Sequence, residues 1–299
     1  MSESAVLVNA ARVANPAALR RSIARALSDE GWSVPGWFET TRGESGEATA
    51  QRAAAAGIEV LFVCGGDGTV GAAAAALAGT ETAIAVIPSG TGNLLALNLG
   101  LPTDIAGAVR LATRGGRRRI DLGEVDGRTF TVAAGIGLDA QILADTPHRA
   151  KHHLGWTAYA AAAVPHLRDP RFRAEVRLDG GPTIERDVRS VLVANVGRLP
   201  GGITLLPSAV PDDGLLDVAL IAPSRIRDWA TLLASLIGRH PKGGRIETFR
   251  VERVEITTAD SQPREVDGES LPWGARLAVQ VRPHALTVCV RPALPRAKA

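Results

Sequence analysis

Sulfur is scarce in this sequence: two cysteines, Cys64 and Cys289, and a single methionine among 299 residues. Two thiols cannot make a disulfide framework, so disulfide-stapled folds are excluded and a reducing compartment is the expected setting. Lysine occurs only at Lys151, Lys242 and Lys298, and nearly all the positive charge is arginine. With alanine so abundant, that reads as compositional bias. The net charge of +3 is too small to point to a nucleic-acid partner. No apolar run reaches the roughly 20 residues that span a bilayer. The longest, around Ala72–Ala78, Thr157–Val164 and Trp229–Ile237, are all shorter. The start, MSESAVLVNA, carries neither the basic region nor the apolar stretch of a leader. Walker A, HExxH, CxxC and GxSxG patterns are also missing, and the six histidines show no metal-ligand spacing.

A 45% hydrophobic fraction supports a packed core and excludes a disordered chain. At roughly 100–200 residues per domain, the length suggests two domains or one large one. The first 120 or so residues alternate strand and helix. Apolar runs at Ala5–Asn9, Val34–Thr40, Glu59–Cys64 and Ala83–Pro88 read as strands. Helices are expected after Asn15-Pro16, over Gly46–Ala56, Thr69–Ala78, Leu94–Leu99 and Asp104–Arg114. This alternation predicts a Rossmann-like, doubly wound parallel sheet. After Arg119 strand-like runs dominate, punctuated by Asp126-Gly127, Asp179-Gly180, Asp213-Gly214 and Asp267-Gly268. They predict an antiparallel β domain, interrupted by helical stretches near His153–Leu167 and Ser224–Gly238. The expected domains are therefore 1–119 and 120–299.

Two glycine-rich loops stand out. CGGDGTV at Cys64–Val70 follows the third strand and opens a helix, and PSGTGN at Pro88–Asn93 follows the fourth. Glycines let backbone approach a ligand closely, and a helix N-terminus attracts anions. Asp67 among those amides would repel a bare phosphate, so the pattern points to a nucleotide with a divalent cation. Gly66, Gly68 and Gly71 also satisfy the dinucleotide fingerprint, but on the wrong strand and without the acidic residue expected about 20 positions on. A further GxGxxA, Gly135–Ala140, lies in the β half and reads as a turn. Cys64 reads as a core residue.

CGGDGTV followed by PSGTGN resembles the diacylglycerol kinase catalytic family, which includes sphingosine, ceramide and bacterial lipid kinases. The likeness continues in RRRIDLGEV (Arg117–Val125), in NVGRLPGGITLLPSAVPDDGLLDV (Asn195–Val218) and in VDGE (Val266–Glu269). NAD kinases share GGDGT, but an Asn-Glu pair is expected there after the second loop, and here Asn93 precedes Leu94. The resemblance implies an NAD kinase/phosphofructokinase-like α/β domain, a C-terminal β-sandwich and an active site between them. It implies a lipid kinase using ATP and Mg2+, cytoplasmic and peripheral at the inner membrane face. The acceptor would be diacylglycerol or a similar lipid. NAD kinase-like transfer and a weakly active nucleotide or lipid sensor are the alternatives. A homodimer through a β-domain edge is an open arrangement.

Carried over by position, the nucleotide contacts implied are Asn9, Gly65, Gly66, Asp67, Gly68, Thr69, Val70, Gly71, Gly90, Thr91, Gly92 and Asn93. Either Thr40 or Thr41 would add another, with Thr41 favoured. Asp67 would work through magnesium, Glu269 would be the general base, and Asp267 would orient it. A structural magnesium would sit at Asp213 with the carbonyls of Val210 and Leu215. Read as residues alone, the Asp267 turn fits a plain hairpin with solvated acids better than a catalytic turn, and the Asp213 turn fits a solvated turn as well as a metal site. The first-strand loop, Asn9-Ala10-Ala11-Arg12, departs from the family pattern N-P-x-x-G, and Gly71 stands where the family often has Asn. Arg114–Arg119, Arg168–Arg173 and Arg225–Arg245 are basic segments that could face anionic lipid or plain solvent.

Overall fold

The computed structural model describes residues 4–10, 13, 15–33, 36–40, 46–138, 140, 169–198, 204–223, 228, 231 and 246–292. The chain divides into two units, Met1–Ile120 with His284–Ala299, and Asp121–Pro283.

In the first unit four strands run parallel: β1 (Ser4–Asn9), β2 (Gly36–Thr40), β3 (Val60–Gly65) and β4 (Ala83–Pro88). Their order is β2-β1-β3-β4. β1 and β3 are buried almost end to end, as strands covered on both faces must be. Five helices accompany them: α1 (Pro16–Asp29), α2 (Glu47–Ala55), α3 (Asp67–Leu77), α4 (Leu94–Leu99) and α5 (Ile105–Arg114). Their starts are written locally. The Asn15 side chain accepts from the Ala18 amide at 2.9 Å with Pro16 in the first turn, and Asp104 caps α5 through the Gly107 amide at 2.7 Å. Ile23 and Leu27 of α1 and Val109 of α5 enter a core with Val6, Phe62 and Cys64. Helix α3 begins at Asp67, two residues before the expected Thr69.

The second unit is antiparallel. β7 (Ala133–Gly137), β10 (Ser190–Ala194), β11 (Leu216–Ile221) and β12 (Ile246–Val251) pair in succession. β13 (Arg253–Val266) pairs with β7, with β8 (Phe172–Leu178) and with β14 (Glu269–Val290); β8 also pairs with β9 (Thr183–Val188). β5 (Gly116–Val125) and β6 (Arg128–Phe130) form a further hairpin. Phe130, Ile136, Val193, Val218 and Leu277 lie in one core. This is the β-sandwich domain expected from the resemblance.

Several expectations need correction. The run read as one strand over Thr129–Ala134 is two, β6 and β7. The Gly135–Gly137 part of GxGxxA is strand rather than turn, because β7 needs glycine at 137. Its φ is +107°, and a methyl group there would collide with the Arg189 carbonyl and the Phe172 ring. The end of β14 lies with the first unit: Val288 pairs in parallel with Ile84, and the Gly79 amide donates to the Ala285 carbonyl at 2.7 Å. The boundary expected at 120–299 therefore gives back the chain after Pro283. The helical stretches near 153–167 and 224–238 fall outside the described residues, apart from Asp228 and Thr231. Arg114, Arg117 and Arg119 pair with Glu30, Glu59 and Glu81, and Arg173 with Glu185. Exposed pairs of this kind contribute about 0–1 kcal/mol, but they leave these arginines no uncompensated basic patch. No helix of the described residues is long and apolar enough to cross a membrane.

Candidate functional site

The two glycine loops emerge from adjacent parallel strands, β3 and β4, in the first unit. They are joined backbone to backbone: the Ser89 amide donates to the Gly65 carbonyl at 3.1 Å. A methyl group on Gly90 would come within 2.5 Å of the Gly66 Cα. Gly65 has the Thr69 side chain packed over it, with Oγ1 2.7 Å from where a Cβ would be, and a Cβ on Gly92 would come within 2.6 Å of Asp67 Oδ2. These four glycines are required by loop packing itself. Gly90→Ala is expected to destabilise the protein by about 1–3 kcal/mol through overpacking. Thermal melting would show it.

Asp67 ties the pair together. Its Oδ1 accepts from the Leu94 amide at 2.5 Å, at the start of α4. Burial raises the carboxyl above its ordinary range, and the Leu94 and Asn93 amides work against that shift. Asn93 sits at φ 47° and closes its own turn, accepting from the Gly90 amide at 3.0 Å and donating to the Gly90 carbonyl at 2.7 Å. Asn9, at the end of β1, donates to Thr69 Oγ1 at 3.2 Å. The residue retained from the altered first-strand motif thus positions the threonine of GGDGT. Thr69 and Val70 are buried and their amides bond the Gly66 carbonyl. Gly68, exposed and without a side chain, sits in the first turn of α3, where amides lack helical acceptors. Thr91 and Gly92 are exposed and Gly71 is half-buried. Thr40 is buried beside Asn9 in the β1–β2 register; Thr41 lies outside the described residues.

In the second unit, Asp267 and Gly268 form the two-residue turn between β13 and β14, with φ 46° and 81°, as an Asp-Gly hairpin requires. The Asp267 carboxylate accepts from the Thr131 amide (2.8 Å) and hydroxyl (2.9 Å), and from the amides of Val132 (2.8 Å) and Ala133 (3.1 Å). The Gly268 amide donates to Glu265 Oε2 at 2.8 Å. Burial raises the Asp267 carboxyl, and those donors oppose it. The sequence expects Asp267 to orient Glu269; its oxygens are taken by three backbone amides and the Thr131 hydroxyl, so it fixes the turn that precedes Glu269 and does not bond that side chain. Glu269 itself is exposed, opposite Val266. Thr131, the partner across 136 residues of chain, carries no motif that could have revealed it.

The Asp213 turn does not fit a cation as placed. Asp213 Oδ1 accepts from the Leu215 amide at 3.1 Å, Oδ2 pairs with Arg250, and Val210 is exposed. Its charge is already balanced, and no group of three His, Cys, Asp or Glu that could hold a metal occurs among the described residues. A neighbouring acid, Asp121, is also engaged, accepting from the Gly214 amide at 2.7 Å.

Residues 4–125 match the diacylglycerol kinase catalytic domain, and residues 130–290 match the YegS C-terminal NAD kinase beta sandwich-like domain. A Pseudomonas aeruginosa protein named "Probable lipid kinase YegS-like" is 33% identical over 259 residues, covering 82% of each chain. One of the same name from Pseudomonas putida is 33% identical over 89% of this chain and 88% of its own. A crystal structure of a diacylglycerol kinase from Bacillus anthracis superposes with a TM-score of 0.74 at 21% identity, covering 98% of both chains. An NAD kinase from Archaeoglobus fulgidus in complex with ATP shares the fold at a TM-score of 0.54 and 12% identity, over 96% of this chain and 93% of that one. With both domains matched in order, the chain belongs to the diacylglycerol kinase-like family of YegS-type lipid kinases.

Proposed function

We propose that this protein transfers the γ-phosphate of ATP to a hydroxyl of diacylglycerol or a similar lipid at a membrane surface. The family makes it a phosphotransferase with an alcohol acceptor. The observation that carries the reading of the site is the welded loop pair, which holds the Gly68 amide at the N-terminus of α3. An unoccupied amide at a helix N-terminus is suited to phosphate oxygens. Asp67 is the acid of the loop pair that would hold a magnesium ion, which when bound supplies neutralisation of phosphate charge.

The chain's own contributions are positional. Asp67 holds α4 and the second loop against the first, so the amides are set before ATP arrives. Asn9 fixes Thr69. Asp267 fixes the turn from which Glu269, a carboxylate free of protein partners among the described residues, would receive the proton of the acceptor hydroxyl. Electrostatic preorganisation of this kind needs no movement at the moment of transfer.

The purified chain, with ATP and magnesium, would be offered mixed micelles of diacylglycerol, ceramide, sphingosine and monoacylglycerol, and NAD in solution. Phosphorylated lipid with magnesium dependence is the expected result. Conversion of NAD to NADP with no lipid product would overturn the acceptor class. The Leu94 amide is taken by Asp67 where an NAD kinase is expected to carry Glu, which weighs against that reading.

A further inference from the structure

The second unit holds a cation that the proposed transfer does not use. Arg189 joins β9 to β10 and is only 8% exposed. Its Nε donates to the Pro223 carbonyl at 2.9 Å, and Nη1 donates to the Asp169 carbonyl. Holding those two loops is complete with these bonds. Both acceptors are neutral, and no described residue accepts from Nη2. The side chain walls an open hollow with about 30 Å³ of free space, lined also by Gly137, Leu138, Asp169, Pro170, Phe172 and Gln262. The Leu138 amide donates to the Arg189 carbonyl at 2.8 Å, so backbone fixes one wall to the other.

Among the described residues, charge around the hollow is unbalanced. Burial holds the guanidinium below its ordinary range; the Asp169 carboxylate opposes this, and Arg171 adds to it. Among the described residues, two guanidinium groups thus face one carboxylate. Nη2 is not sealed in the protein but opens into the hollow, where a charged guanidinium edge makes a strong, charge-assisted hydrogen bond to an anion that reaches it. A planar guanidinium matches carboxylate and phosphate oxygens. The free space is about that of two waters. It admits the oxygens of one small anion or the end of a larger molecule, while the remainder stays outside. Phosphate, with several oxygens and a high charge, can engage Nη2, the Gln262 amide and Arg171 together.

We propose that the Arg189 hollow is a binding site for a phosphate oxyanion, filled by free phosphate or by the headgroup phosphate of an anionic lipid. The hollow belongs to the second unit and the glycine loops to the first, and the proposal stands or falls independently of the kinase reading.

Amide NMR of the full chain, titrated with inorganic phosphate at constant ionic strength, tests it locally. The Gly137 and Leu138 amides and the Gln262 side-chain amide are expected to shift. Arg189→Gln should weaken phosphate binding at those signals by at least about tenfold, or 1.4 kcal/mol. Phosphate at the loop pair would instead move Gly66–Gly68, and shifts confined there would overturn the site. Should Arg189→Gln fail to fold, Arg171→Gln, at an exposed position, removes the neighbouring cation; unchanged phosphate affinity in that variant would overturn it too. Vesicles distinguish the source. For a headgroup, the wild type should sediment with vesicles one-third phosphatidylglycerol in phosphatidylcholine more than Arg189→Gln does. For free phosphate, the two should sediment alike while their amide shifts differ. If the Gly137, Leu138 and Gln262 signals stay still and the two proteins sediment alike, the proposal is refuted.

Discussion

Glu269→Gln is expected to slow phosphoryl transfer by about 10²–10⁴-fold, the range typical of a lost general base. Thermal stability should not change. Glu269 is the first residue of β14, exposed, and bonded to no described side chain. Glutamine has the same shape, and surface substitutions away from special features usually stay within about 0.5 kcal/mol. Steady-state rates with ATP and diacylglycerol micelles, beside a melting curve, would separate the two quantities. A variant that melts as the wild type does and keeps its full rate would remove Glu269 from the chemistry.

Asp267→Ala is expected to have the opposite signature, a large loss of stability. The substitution strips the acceptors from the Thr131, Val132 and Ala133 amides and the Thr131 hydroxyl. A buried donor left without a partner costs about 1–3 kcal/mol. Alanine must also hold the left-handed backbone of position 267, φ 46°, which costs about 1–2 kcal/mol. A combined loss of about 4 kcal/mol, or roughly 10 °C in melting temperature, follows. Asp267→Asn should lose less, because asparagine tolerates that backbone and keeps one acceptor oxygen. Equal stability of all three proteins would show that the clamp does not matter to the fold. Activity should fall in Asp267→Ala with the positioning of Glu269, and should recover in part in Asp267→Asn.

Periodicity made the first unit readable, because each strand there is a buried apolar run closed by a turn. The second unit was harder for a physical reason. β9 (TIERDV) carries four charged or polar side chains outward and looks like a loop in sequence, although it pairs with β8 along its whole length. The site shows the same division. Strand, glycines and helix placed the loop pair, but the meaning of the individual glycines changed: Gly66, Gly90 and Gly92 serve loop-on-loop contact, and Gly65 makes room for Thr69 of its own loop. The Asp267 turn could not be distinguished locally. Asp126-Gly127 and Asp179-Gly180 adopt nearly the same backbone, and Asp179 also clamps amides, those of Glu252 and Arg253. Only the resemblance separated Glu269 from a solvated acid. Arg189 was invisible for a related reason: its partners, at Asp169 and Pro223, are 20 and 34 residues away.

The return of β14 to the first unit bears on how the protein is made. When Ile120 leaves the ribosome, β4 still has an unpaired edge at Ile84, and the Gly79 amide has no acceptor from the chain already synthesised. Both wait for Ala285 and Val288. An open strand edge is a template for wrong pairing. During synthesis the nucleotide-binding half is therefore an incomplete sheet that must stay in solution while more than half of the chain follows. Its completion reports that translation has passed the second unit, so a chain truncated before His284 would be left with an exposed edge on the half that carries the phosphate loops.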